Sequence, residues 1–368
     1  MNTHTGLLMR SAFSLSAAAA LAIGVGLSGA IAQDKTTATL RVASVLAEQS
    51  AMSVAMVKWG EAVTQRTEGR LQFRYFWTGT LLSGPDSGEG IRDGRADLGL
   101  TGGFNLPARL PLSTIGTIPF MTSNVAAMGY AHVNAYNNNP DFHGEFERSN
   151  LHIIGFVPGG VNTVFSKKPL TKIEDMAGVK IRTVGLGADA MQAVGASPVT
   201  IPANEIFEGL SKGLLDASSG LPLDAGVDFS LQDAAPNIVD TKYGVYTMAL
   251  YAINRAVYDG FDPETKKIVD EESAAFLDKY YLPEIQAAEE ARCKKAKEAG
   301  ANFIVWDDEQ AKLWKEKLGD TAKNHWVDSV KQYGADGAKF LSSFEEDLRK
   351  MEEQHPWTNT LTACGSSN

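Results

Sequence analysis

Cysteine, histidine and positive charge are all in short supply in this chain. Its 368 residues include two cysteines and six histidines. Cys293 and Cys364 are far apart and form no C-x-x-C, which removes the usual structural-zinc and dithiol motifs. His132, His143, His152, His325 and His355 form no H-E-x-x-H and none stands at ligand spacing from a cysteine, so they read as surface or helix-end histidines. Gly84-Pro85-Asp86-Ser87-Gly88 has the wrong spacing for a G-x-S-x-G nucleophile elbow, and there is no Walker loop. With 34 Lys and Arg against 44 Asp and Glu, the formal charge is −10. That balance argues against non-specific nucleic-acid binding, which needs a basic face. It also means that any anion site must be built locally. Beyond Ala32 no segment is long and uncharged enough to cross a bilayer.

What is present begins at the N-terminus. Arg10 is the one charge before Asp34, an apolar stretch runs from Ala12 to about Ala30, and Ala30-Ile31-Ala32 ends it. A basic start, an apolar middle and an A-x-A end predict a secretory signal peptide over 1–32, cut before Gln33. An uncleaved anchor helix is the alternative reading of the same run. Export would put the protein in the periplasm, where Cys293 and Cys364 could pair and clip the C-terminal tail onto a helix, or stay as two free thiols.

The following chain alternates period-2 and period-3.6 segments. Thr39 to Val45, Leu71 to Trp77 and Ala96 to Leu100 read as strands, with helices over Ala51 to Thr67 and Asp86 to Arg95 between them. That order predicts a parallel sheet with helices on both faces. A second α/β unit follows. Its strands are Leu151 to Phe156, a stretch from Thr163, Val179 to Val184, Pro198 to Ile201 and Leu214 to Ser218, and Asn204 is expected to cap a helix from Glu205 to Lys212. Thr247 to Ile253 is a strand. Pro263 to Ala301 and Asp307 to Glu353 are helical by period, with breaks expected near Pro283 and Gly334. The tail past Pro356 is expected to be loose.

Two features suggest ligand chemistry. Gly185-Leu186-Gly187-Ala188-Asp189-Ala190 fits G-x-G-x-x-A after a strand, with Glu205 downstream. It sits in the second unit of an exported chain, so a tight strand-to-helix turn is favoured over a dinucleotide site, leaving the helix start as an anion pole. Arg182 stands inside Val179-Lys180-Ile181-Arg182-Thr183-Val184. A guanidinium at the carboxyl end of a strand can hold a carboxylate with two parallel hydrogen bonds. An Arg facing solvent on an edge strand is the other reading.

From Ile173 to Ser218 the sequence resembles the DctP-type solute-binding proteins of TRAP transporters. Gly178, Lys180-Ile181-Arg182, Gly195-Ala196-Ser197-Pro198-Val199 and the run Glu205, Phe207, Leu210, Gly213 to Asp216 follow that family's order. Gly79 to Gly84, Ile91 to Gly99 and Ile253 to Tyr258 extend the likeness, which covers roughly Leu40 to Ala275. The resemblance implies an α/β, two-lobed periplasmic binding protein with hinge strands and long C-terminal helices. Its parts would be a first lobe over 33–155, a second over 156–249, and a return strand with helices over 250–355 before the tail 356–368.

The resemblance implies that Arg182 makes the main carboxylate contact. It puts Asn204 and Glu205 at the border of the cleft, Thr101 to Phe104 on the first lobe's wall, Glu48 at the mouth and Leu221 among the ligand-facing residues. The chain also departs from the family. Asn162 stands where many relatives carry a second Arg, Ala203 where some sugar-acid binders have an aromatic, and Gly102 where they have an acid. These changes remove charge and bulk and point to a monocarboxylate with an apolar body. The expected role is capture of a small organic acid for a TRAP membrane permease, by a monomer or homodimer. No bond chemistry, cofactor, metal or nucleic acid is implied. The alternatives are a binding protein feeding a signalling receptor, or an exported α/β enzyme acting on a carboxylate.

Overall fold

The computed structural model describes residues 37–366; the expected signal peptide lies outside them. Among the described residues the strands form two sheets. The first contains β1 (Ala38–Ala43), β2 (Leu71–Phe76), β3 (Leu98–Thr101), β4 (Leu151–Pro158) and β10 (Met248–Asn254), in the order β2-β1-β3-β10-β4. The second contains β5 (Asn162–Ser166), β6 (Lys180–Arg182), β7 (Ser197–Val199), β8 (Ala217–Pro222), β9 (Asn237–Asp240) and β11 (Asn302–Val305), in the order β11-β9-β5-β8-β6-β7. Each sheet carries its own hydrophobic core, and together they form a two-lobed α/β architecture.

The parallel βαβαβ start has a local cause. Ser50 caps the helix Ala51–Arg66 by accepting from the Ser53 amide, and Ala55, Met56, Trp59 and Val63 form its buried stripe. β1 then pairs in parallel with both β2 and β3. What the local pattern does not contain is the arrival of β10. This strand enters antiparallel between β3 and β4, and all seven of its residues are buried, as expected for MALYAIN in the middle of a covered sheet.

Two short segments carry the chain between the sheets, 159–161 after β4 and 241–247 before β10. They are joined side by side. Val161 bridges Val245, the Gly159 amide donates to the Thr247 carbonyl (2.8 Å), and the Asn162 amide to the Gly244 carbonyl (2.9 Å). Gly244 has φ 94°, and a Cβ there would lie 2.5 Å from the Thr122 carbonyl oxygen. Both conditions exclude a side chain.

Helices brace the same junction from either side. On the helix Leu282–Glu298, Arg292 pairs with Asp228 of the second lobe and also donates to the Gln49 carbonyl of the first. The helix Thr321–Lys331 buries Ala322 in the second lobe's core and Trp326 and Val330 in the first lobe's.

Several boundaries differ from expectation. The break near Pro283 is a π-type turn, Phe276–Tyr281, placed before the proline; Pro283 itself fits the first turn of the next helix, where its missing N–H costs nothing. β11 falls in the short gap between the two stretches expected to be helical, where no strand was expected, and extends the second sheet. Asn204 caps nothing: it lies in a 3-10 turn, Ala203–Glu205, and the helix Ile206–Ser211 has no side-chain cap. The tail is not loose. Thr360–Ser366 is helical, Leu361 and Cys364 are buried, and Cys364 is disulfide-bonded to Cys293 with a Cα separation of 6.0 Å. A cross-link closing a loop of this size stabilises by about 2–4 kcal/mol, so Cys293→Ser should lower the melting temperature, and reductant should do the same to the intact chain but leave the variant unmoved.

Two buried acids lie against the first crossing. Glu289 is 2% exposed, and a Cβ on Gly160 would sit 2.0 Å from its Oε1. Burial, with the nearby Asp224 carboxyl adding to it, raises the Glu289 pKa to about 8; burial raises Asp224 to about 6. An acid whose folded pKa exceeds its unfolded value holds its proton more tightly in the fold. Stability therefore falls as pH rises from the unfolded value near 4.5 toward 8, with a slope of up to about 1.4 kcal/mol per pH unit for this group. Glu289→Gln should flatten that fall, which denaturant titrations at pH 5, 6, 7 and 8 would measure; an unchanged slope would refute the assignment.

Candidate functional site

A cavity of about 630 Å³ opens between the two lobes. Its walls come from four places. The first lobe supplies Phe104, Pro107, Pro111, Thr114 and Thr117; the second supplies Arg182, Val184, Gly185, Leu186 and Gly220. The second crossing adds Tyr246 and Thr247. The helix Thr321–Lys331 and the turn after it add Trp326, Ser329, Val330, Gln332 and Tyr333. Arg182 is the single ionic side chain among these residues.

Arg182 ends β6, which lies between β8 and β7, so the edge-strand reading does not hold. The residue is 5% exposed. Its Nε donates to the Ile201 carbonyl (3.3 Å), and its Nη1 to the carbonyls of Ser219 (3.2 Å) and Gly220 (3.3 Å). Among the described residues no carboxylate pairs with it and no protein acceptor meets its Nη2. Burial lowers its pKa, and the nearby Tyr246 hydroxyl opposes that only in part. A desolvated cation with neutral partners alone is costly, because carbonyl dipoles replace only some of the lost hydration.

The guanidinium is held by the backbone of β8, and Asn162 shapes that backbone. Asn162 is buried and does not line the cavity. Its Oδ1 accepts from the Gly220 amide (2.6 Å), and its side chain also bonds the Ser219 hydroxyl (3.0 Å). Gly220 sits at φ 82°, and a Cβ there would lie 3.1 Å from Arg182 Nη1. The kink therefore needs glycine both for its backbone and for the space the guanidinium fills.

The glycine-rich turn also has a structural explanation. Gly185 has φ 51°, and the helix Gly187–Ala193 starts two residues later, after Leu186. The Gly187 amide donates to the Tyr246 hydroxyl (2.9 Å), which itself donates to the Val184 carbonyl. The expected anion pole is thus occupied by a tyrosine, whose own pKa burial raises to about 12.

Of the other candidates, Phe104 lines the cavity and is 48% exposed. Gly102 lies just behind it: a Cβ there would fall 2.4 Å from Phe104 Cε1, so Gly102 makes room for the ring. Glu48 is exposed in the turn before the first helix, and Asn204 and Glu205 are exposed in their 3-10 turn. Ala203 and Leu221 pack on a core cluster of the second lobe. None of these five reaches this cavity. Sequence reading missed Tyr246, Gly220, Thr114, Trp326 and Tyr333. Only Gly220, the sole glycine in the run Leu214 to Pro222, carried a local signal of a special backbone.

The profile of the bacterial extracellular solute-binding protein family 7, DctP, matches residues 42–328. The chain belongs to this family. It is a family of solute-binding proteins. The chain is similar to the 2,3-diketo-L-gulonate-binding periplasmic protein YiaO of Escherichia coli K12, with 24% identity over 315 residues, 84% of this chain and 92% of that one. Among solved structures it resembles a TRAP solute-binding protein from Rhodoferax ferrireducens T118 in complex with copurified benzoate (TM-score 0.76, 22% identity, 86% of this chain and 99% of that one). It also resembles a marine-metagenome TRAP solute-binding protein specific for aromatic acid ligands, in complex with 3-hydroxybenzoate (TM-score 0.76, 21% identity, 86% and 99%).

The mount on β8 has a measurable consequence in this family member. Gly220→Ala would force an L-residue into left-handed backbone, at a cost of about 1–2 kcal/mol, and press a methyl toward the guanidinium. Chemical denaturation should show that loss, with Asn162→Ala also destabilising because the buried Gly220 amide loses its acceptor.

Proposed function

We propose that this chain captures a small organic monocarboxylate in the periplasm and delivers it to a TRAP membrane permease. The observation that carries the reading is Arg182: a buried, immobilised guanidinium that lines the inter-lobe cavity and has no counter-ion among the described residues. An incoming carboxylate supplies the missing charge and accepts from the fork. One such cation, in walls otherwise made of neutral side chains, suits one carboxylate better than two. Asn162 fits the same view, because the position where relatives offer a second Arg here carries an amide turned into the backbone. The benzoate and 3-hydroxybenzoate bound by the fold relatives, and the sugar acid named for YiaO, are each monocarboxylates and support the reading.

Capture then works by differential contact. Ligand that touches both lobes favours whichever arrangement lets it do so, and the two strand crossings are where such a motion would bend. No metal or cofactor enters the scheme.

Calorimetry on the purified chain with benzoate and with succinate tests the proposal. Benzoate should bind more tightly. Arg182→Ala should cost on the order of 2–5 kcal/mol in benzoate affinity, while Arg182→Lys, which keeps the charge but not the fork, should recover part of it. Succinate outcompeting every monoacid, or near-normal affinity in Arg182→Ala, would sink it.

A further inference from the structure

Part of the cavity wall is C-terminal. Trp326 lies on the helix Thr321–Lys331, and Tyr333 on the turn that follows; both line the cavity with Arg182. This helix is pinned at both lobes. The Trp326 indole donates from Nε1 to Thr114 Oγ1 of the first lobe (2.8 Å). One residue earlier, His325 Nδ1 lies 2.8 Å from Asp189 Oδ2 of the second. Trp326 is 1% exposed, whereas Tyr333 is 43% exposed and stands at the rim.

We infer that these two residues select the body of the ligand, so that the chain favours an aromatic monocarboxylate long enough to reach from Arg182 to the C-terminal wall. The inference rests on the monocarboxylate reading above and deepens it. Arg182 cannot swing, because three backbone carbonyls hold it, so the carboxylate end of the ligand has a fixed place. Trp326 cannot retreat, because its indole is bonded and buried. In this arrangement of the lobes, the separation of these two groups bounds the length of ligand that fits between them. Phe104 and Tyr246 line the same cavity, and several rings around one space favour a planar ring through offset and edge-on contacts that a saturated body cannot match. A cavity of this size lies within the range of small-molecule sites.

The test compares benzoate, 3-phenylpropanoate and 3-cyclohexylpropanoate on the intact chain and on Tyr333→Ala and Trp326→Phe, by calorimetry. On the intact chain, 3-phenylpropanoate should bind more tightly than its cyclohexyl counterpart by about three- to tenfold. Tyr333→Ala, an exposed position that leaves the core alone, should weaken 3-phenylpropanoate by a similar factor and benzoate by less than about twofold. Trp326→Phe should change the longer acid more than the shorter one. Equal effects on both acids in both variants, or equal binding of the phenyl and cyclohexyl compounds, overturns this inference while leaving the monocarboxylate reading intact. Failure of the intact chain to bind any of the three acids overturns both.

Discussion

A guanidinium kept out of water without a carboxylate beside it is the constraint around which the rest of this protein is arranged. Arg182 owes its burial to its place on β6, covered by β8 on one side and β7 on the other, and its direction to three carbonyls on neighbouring backbone. Neutral carbonyls hold a cation without neutralising it. Asn162 and Gly220 serve that geometry from behind, one by gripping the β8 amide and the other by leaving room. The apolar walls then raise the value of any charge that comes to meet Arg182, since the same low-polarity surroundings that make it costly alone strengthen a completed pair.

The lobes that frame this cavity are joined at one narrow place. Two crossing segments lie side by side, Gly244 permits one to pass close to Thr122, and Tyr246 on the same crossing closes the glycine-rich turn beside Arg182. Residues that link the sheets are therefore also residues that shape the cavity. The buried acids Glu289 and Asp224 sit next to the other crossing, at Gly160. Helices brace both sides, through Arg292 on one and Trp326 with His325 on the other. The disulfide to Cys364 and the burial of Leu361 hold the last helix against the first of these braces.

Much of the architecture was legible locally. Ser50 with the stripe Ala55, Met56, Trp59 and Val63 marks a helix without reference to anything distant, and the alternation of strands and helices implies parallel pairing among β1, β2 and β3. The strand KIR and the family-like run around it were enough to single out Arg182. Other features were hidden because their causes are non-local. β11 is four residues of an ordinary pattern that becomes a strand only because β9 offers an edge. Asn204 has the chemistry of a helix cap, but the chain enters the helix through a 3-10 turn and bypasses it. Trp326 reads as one more core residue of an amphipathic helix, since nothing near it in sequence says that a cavity lies on the other side.

The amino-acid sequence by itself determined the α/β class and the family and singled out Arg182 as a candidate, because each of these is written in short-range periodicity and motif order. Tertiary structure alone decided that Arg182 has no counter-ion among the described residues, that Asn162 faces the backbone rather than the cavity, that a tyrosine fills the helix start, and that the C-terminal helix walls the cavity. Those are facts about which groups meet after some tens to hundreds of residues of intervening chain have folded, and no local pattern encodes the absence of a partner.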